Sequence, residues 1–141
     1  MKQVVISEEI NALAKRVVNA AFAVHSAFGP GLLERVYHET LIIELLHDGL
    51  TVEREKQIPI FYRGQAVDAS YRADLIVNQK LLVELKSVEP LLPIHRVQTV
   101  TYLKLLKLPL GLLINFNTPL IKDGIHRVLN LEFQTDPQKP N

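Results

Sequence analysis

Apolar residues recur at helical spacing through Ile10, Leu13, Ala14, Val17, Ala21, Val24 and Phe28, which predicts one amphipathic helix. Ser7 is a suitable N-cap for it, and Glu8 and Glu9 suit the positive end of its dipole. Gly29-Pro30-Gly31 stops that helix. A second helix is expected from about Leu32 to His47, closed by Asp48-Gly49. From Leu50 the period changes. Val52, Ile58, Ile60 and Tyr62 fit an extended strand interrupted by Glu53-Arg54-Glu55-Lys56, and Arg63-Gly64 is a turn. Two further strands follow, from Tyr71 to Val77 and from Leu81 to Lys86, joined by Asn78-Gln79-Lys80. Ile94 to Leu105 reads as a third helix ending before Pro109. Leu110 to Asn115 is nearly all apolar, the pattern of a strand covered on both faces, and a last strand is expected from Gly124 to Leu129. The pattern predicts a three-layer α/β domain over residues 1–133, a mixed central sheet flanked by helices, with a disordered tail from Gln134.

Composition narrows the classes without naming one. Of the residues, 48% are hydrophobic, and sixteen basic residues face fifteen acidic ones. A contact with nucleic acid would therefore depend on local clustering rather than net charge. The absence of cysteine excludes disulfides and thiolate metal sites and suits a reducing cytoplasm. The N-terminus turns acidic before any signal-like stretch develops, and no apolar run reaches the roughly 18–20 residues of a membrane helix. Nucleotide-binding glycine loops, His-x-x-x-His zinc patterns and serine elbows are absent.

The informative segment is Arg72-Ala73-Asp74 through Val83-Glu84-Leu85-Lys86. Alternation along a strand puts Glu84 and Lys86 on one face. Asp74 joins them only if the connection between the two strands is odd, such as the three residues Asn78-Gln79-Lys80, or if a bulge intervenes. A two-residue turn would send Asp74 to the opposite face. Two carboxylates on adjacent strands can hold Mg²⁺ or Mn²⁺ against a phosphodiester, and a lysine two residues on can orient water or offset phosphate charge. The plainer alternative is a solvated face on which Glu84 and Lys86 form a weak ion pair.

Gly31-Leu32-Leu33-Glu34-Arg35-Val36-Tyr37 resembles the signature of the prokaryotic GxxExxY proteins, a branch of the PD-(D/E)XK nuclease superfamily. Val24-His25, Tyr71-Arg72-Ala73-Asp74-Leu75, Val83-Glu84-Leu85-Lys86, Gln98-x-x-x-Tyr102 and Leu112-Leu113-Ile114-Asn115-Phe116 agree in order, over roughly residues 10–130. The resemblance implies a restriction-endonuclease-like fold and a Mg²⁺- or Mn²⁺-dependent nuclease, with DNA favoured over RNA. It implies that Asp74, Glu84 and Glu34 are metal ligands and that Lys86 is the catalytic lysine. Gln98 and Tyr102 match a RecB-like motif that supports the site or contacts nucleic acid. RecB-like relatives place a histidine near the metal, which makes His25 a further candidate of the resemblance.

Each of these residues also has an ordinary structural reading. Glu34 can be a surface acid favoured by a helix N-terminus, with Tyr37 on its face. His25 can be a partly buried helix histidine, and Gln98 and Tyr102 can simply pair one turn apart. His95, Arg96, Lys104, Lys107, Lys122 and Arg127 could form a phosphate-binding rim or an ordinary solvated surface. A chain of this size has little room for substrate recognition beyond its core, which makes a homodimer or partner subunit credible. The rival function is a non-catalytic module that binds nucleic acid or protein.

Overall fold

The computed structural model describes residues 4–134. Helix α1 spans Glu8–Phe28 and α2 spans Glu34–His47. Strands β1 (Val52–Tyr62), β2 (Gln65–Val77) and β3 (Leu81–Lys86) follow, then helix α3 (Pro93–Leu106), β4 (Leu110–Asn115), a short 3-10 turn at Ile121–Gly124, and β5 (Ile125–Leu129). One five-stranded sheet runs β1-β2-β3-β4-β5. Every neighbouring pair is antiparallel except β3 with β4, and α3 is the crossover that makes that pair parallel. No described helix is long and apolar enough to cross a membrane.

Two apolar clusters define the layers. One joins α1 and α2 (Val17, Val24, Tyr37, Leu41, Leu45) to Leu75, Val77, Leu81, Val83, Leu85, Leu112 and Ile114 of the sheet. The other joins Tyr102 and Leu103 of α3 to Ile58, Ala73, Ile76, Leu82, Leu113 and Val128. Strands β3 and β4 are apolar at consecutive positions because both of their faces are covered. At α1 the side chain of Ser7 accepts the Ile10 N–H (3.2 Å), as its position before the two glutamates predicts.

Three boundaries differ from the sequence expectation, each for a physical reason. Strand β1 runs unbroken through Glu53 to Lys56, because these residues lie in an exposed strand where charge is tolerated. Strand β2 begins at Gln65, six residues before Tyr71, because the Arg63-Gly64 turn closes a tight hairpin with Tyr62 opposite Gln65. Helix α2 begins at Glu34 rather than Leu32, since Leu33 is still extended (φ −63°, ψ 144°). The expected tail lies, beyond Gln134, outside the described residues.

The parallel pair sets the end of β3. Lys86 lies opposite Asn115, and the Phe116 N–H donates to the Lys86 carbonyl (2.9 Å). Buried Asn115 then binds the next turn from both ends of its amide: Oδ1 accepts the Val88 N–H (3.1 Å) and Nδ2 donates to the Val88 carbonyl (3.0 Å). Gly124 passes so close that an added Cβ would stand 2.0 Å from the Asn115 carbonyl oxygen, whereas one at Gly111 would meet only side chains, at 3.4 Å or more. Gly124→Ala is therefore expected to lose about 2 kcal/mol or more in urea unfolding, and Gly111→Ala less than about 1 kcal/mol. Equal losses would contradict this packing.

Candidate active site

The connection between β2 and β3 has three residues. Val77 pairs with Leu81, and Asn78 and Gln79 both adopt positive φ (50° and 60°). Asparagine tolerates that conformation, and here Asn78 is also held from outside. Its N–H donates to the Thr51 carbonyl (2.9 Å), and its Oδ1 accepts the Thr51 N–H (2.8 Å). The register Leu75–Val83, carried one step further, sets Asp74 opposite Glu84.

At that step the regular ladder ends and side chains take over. Oδ2 of Asp74 accepts the Leu85 N–H (2.8 Å), while the Asp74 N–H donates to Oε2 of Glu84 (3.2 Å). Alternation also breaks here: Ala73 packs in the α3 layer, yet Leu75, two residues on, packs in the α1–α2 layer. Across from Asp74 on β1, between the pairs Arg54–Leu75 and Lys56–Ala73, Glu55 has a left-handed φ of 49°. Such a backbone in a strand interior is strained, and strain of this kind concentrates at functional sites.

Glu84 is only 6% exposed. Burial, then the hydrogen bond and charge of Asp74, push its carboxyl up to about 10, against weaker opposing effects from the Asp74 N–H and Lys86. The pair therefore keeps a proton on Glu84 at neutral pH. Lys86 is half-buried and forms no ion pair among the described residues. Tyr102 borders the same acids: burial first, then the charges of Glu84 and Asp74, raise its phenol above the usual range. Gln98 Nε2 donates to the Tyr102 hydroxyl (3.0 Å), and the Tyr102 ring meets Tyr71 edge-on, with centroids 6.1 Å apart. Gln98 and Tyr102 thus pair on α3, and the pair lies beside the acids.

Asp74 opens on a cleft of about 590 Å³ shared with Glu34, Arg35, His38 and Glu39 of α2 and with Arg54 and Glu55 of β1. Glu34 is exposed at the first turn of α2, so it shares the cleft with Asp74. Among the described residues no three His, Asp or Glu side chains assemble a ready cation site. Tyr37 explains where α2 begins. Its buried hydroxyl donates to the Gly29 carbonyl (2.6 Å) and accepts the Leu32 N–H (3.1 Å), and its ring stacks on Phe116 at 4.6 Å. It staples the glycine turn that delivers Glu34, so its place is structural. His25 lies outside the cleft lining: its Nε2 donates to the Thr118 carbonyl (2.9 Å), tying α1 to the loop after β4.

Sequence reasoning missed His38, Arg35 and the Arg54–Glu39 ion pair at the cleft. His38 was within reach, since it is one helical turn from Glu34 and so shares its face. The basic rim disperses into local contacts. Arg127 donates to Asn11 (2.8 Å), Lys104 faces Glu132 at 3.6 Å, and His95 accepts the Leu92 N–H at the start of α3 (3.0 Å).

A family model described as the PD-(D/E)XK nuclease superfamily matches residues 11–128. The chain belongs to that superfamily. Its fold is the α/β fold of the superfamily, whose members are generally nucleases and typically use divalent metals. No curated protein and no solved structure matches the chain.

Two outcomes follow from this geometry. The fold holds a proton on Glu84 that the unfolded chain, titrating near 4.5, releases. Stability measured in chelator should thus fall as pH rises from about 4.5 towards 10. Glu84→Gln mimics the protonated acid, its oxygen accepting the Asp74 N–H and its amide donating to the Asp74 carboxyl. It should match the parent's stability near pH 4 and exceed it by a margin that grows by about 1.4 kcal/mol per pH unit, reaching on the order of 5 kcal/mol at pH 8. A constant difference across that range would contradict the assignment. Tyr37→Phe should cost about 1–2 kcal/mol in denaturant unfolding by leaving the Gly29 and Leu32 groups unpaired.

Proposed function

We propose that the chain is a metal-dependent phosphodiesterase acting on nucleic acid, DNA in preference to RNA. The observation that carries this reading is the apposition of Asp74 and Glu84 where the β2–β3 ladder ends, with Lys86 two residues beyond. Two carboxyls pressed together and sharing a proton are a donor set that suits Mg²⁺ or Mn²⁺, because a divalent cation relieves the repulsion that the proton now masks. Such an ion, when bound, polarises the phosphodiester and lowers the pKa of an attacking water.

The chain's own residues supply the rest. Asp74 and Glu84 would hold the ion, and Asp74 is tied by its carboxylate to the Leu85 N–H. Glu34 completes the acidic cleft from α2. Lys86, held at the end of β3 by the Phe116 and Asn115 contacts, orients water and offsets charge building on the phosphate. Arg35 and Arg54 line the cleft where a phosphate backbone would lie. Tyr102, kept protonated, and Gln98 support the acids from α3. The GxxExxY and RecB-like likeness supports the same assignment, because Gly31, Glu34 and Tyr37 form one device: a turn, a cleft acid and a staple. The reading places one nuclease domain over residues 1–133.

Assays on plasmid and single-stranded DNA with Mn²⁺ should show cleavage that falls by about 10³-fold or more in Glu84→Ala and in Lys86→Ala. Mn²⁺ should also raise the melting temperature of the parent but not of Glu84→Gln, since a ligand that binds only the folded state stabilises it. Nucleic-acid binding without metal-dependent cleavage, and without the Mn²⁺ shift, would instead identify a non-catalytic module.

A further inference from the structure

Beyond Ile58 and Tyr71, β1 and β2 pair only with each other. The β2–β3 ladder is confined to Leu75–Val77, so Pro59–Tyr62 and Gln65–Ala69 form a free two-stranded arm extending roughly 13 Å. A bare ribbon of that kind is marginal in water and usually hides its apolar side. This one does the reverse: Phe61 is 65% exposed and Tyr62 71% exposed, on opposite faces, and Val67 is exposed beside Ile60 on the Tyr62 face. At the tip Arg63 occupies a left-handed position (φ 51°) that asparagine or glycine would fill more cheaply. Neither Arg63 nor Arg72 has an acidic partner among the described residues. At its base Tyr71 touches Tyr102, which borders the acid pair.

We propose that this arm is a stacking platform for single-stranded nucleic acid. Aromatic faces accept any base, and flanking arginines take the phosphates, a pairing that suits an unpaired strand better than a duplex whose bases are already stacked. The unpaired arginines favour this occupant over a second copy of the chain, which would have to bring its own acids to them. The base of the arm adjoins the acids on the α3 side of the sheet, where Tyr71 touches buried Tyr102 and Tyr102 borders Asp74 and Glu84, so a strand held on the arm lies next to the acid pair. For its substrate class the inference rests on the nuclease reading, but its test does not require catalysis.

The test is binding of a labelled oligothymidylate of about 12 nucleotides, followed by anisotropy in chelator, against a blunt duplex of the same length. The double variant Phe61→Ala, Tyr62→Ala should bind the single strand about tenfold or more weakly while keeping the parent melting temperature. Tyr62→Trp, with Phe61 intact, should bind the single strand at least as tightly as the parent. As the only tryptophan in a chain that has none, it should also be quenched by the single strand and not by the duplex. Unchanged affinity in the double variant, an unquenched tryptophan, or tighter binding of the blunt duplex would overturn the proposal. So would a concentration-dependent dimer that the double variant abolishes, which would assign the face to a second copy. Cleavage surviving in Glu84→Gln would defeat the nuclease site and leave the arm's binding data untouched.

Discussion

Two carboxyl groups from neighbouring strands are forced together at the point where those strands stop sharing backbone hydrogen bonds, and the surrounding structure serves that contact. The β2–β3 ladder ends at Leu75 and Val83, and the next rung is built from side chains: Asp74 on the Leu85 N–H, Glu84 on the Asp74 N–H. An acid pair so close and so dry is unfavourable unless a proton or a cation mediates it. Glu84 is buried where water cannot do that work, while Asp74 is half-buried at the edge of the cleft. The contact therefore stores a preference for positive charge at one place, beside a cleft lined by more acids and two arginines.

The supports are spread along the chain but act on few atoms. Asn78 fixes the turn that makes the register odd, and Thr51 fixes Asn78. Asn115 and the Phe116 N–H hold the far end of β3, where Lys86 leaves the sheet, and Gly124 lets the chain pass against Asn115. Tyr37 bridges the glycine turn and stacks on Phe116, so the start of α2 and the end of β4 are coupled through one ring. Glu34, Lys86 and the acid pair are thereby positioned relative to one another by buried contacts.

Much of the fold was legible because its elements are strongly patterned. The stripe from Ile10 to Val24, the apolar runs in β3 and β4, and the Gly-Pro-Gly and Asp48-Gly49 breaks report burial and punctuation directly, whereas Phe28, expected at the end of that stripe, is exposed. The site was legible as far as a condition on the turn: an odd connection such as Asn78-Gln79-Lys80 would bring Asp74 to Glu84, a two-residue one would not, and the structure has the three-residue turn with Asp74 and Glu84 in contact. The first half of β2 was hidden because Gln65 to Ser70 carries no alternation that a buried face would impose. The strained Glu55, the break between Ala73 and Leu75, and the clamp at Asn115 left no local mark, because each is a response to packing between distant segments. Glu34 matched a motif, yet only the Tyr37 staple explains why it sits at the cleft rather than against the pair.

The most direct test is the proton count when Mn²⁺ binds, measured by titration calorimetry at pH 7 in buffers of different ionisation enthalpy. If Glu84 holds the proton of the pair, close to one proton is released for each ion bound, and Glu84→Gln abolishes both the binding and the release. Binding with no proton release, or binding that survives in Glu84→Gln, would contradict the account, because the cation would then occupy some other place.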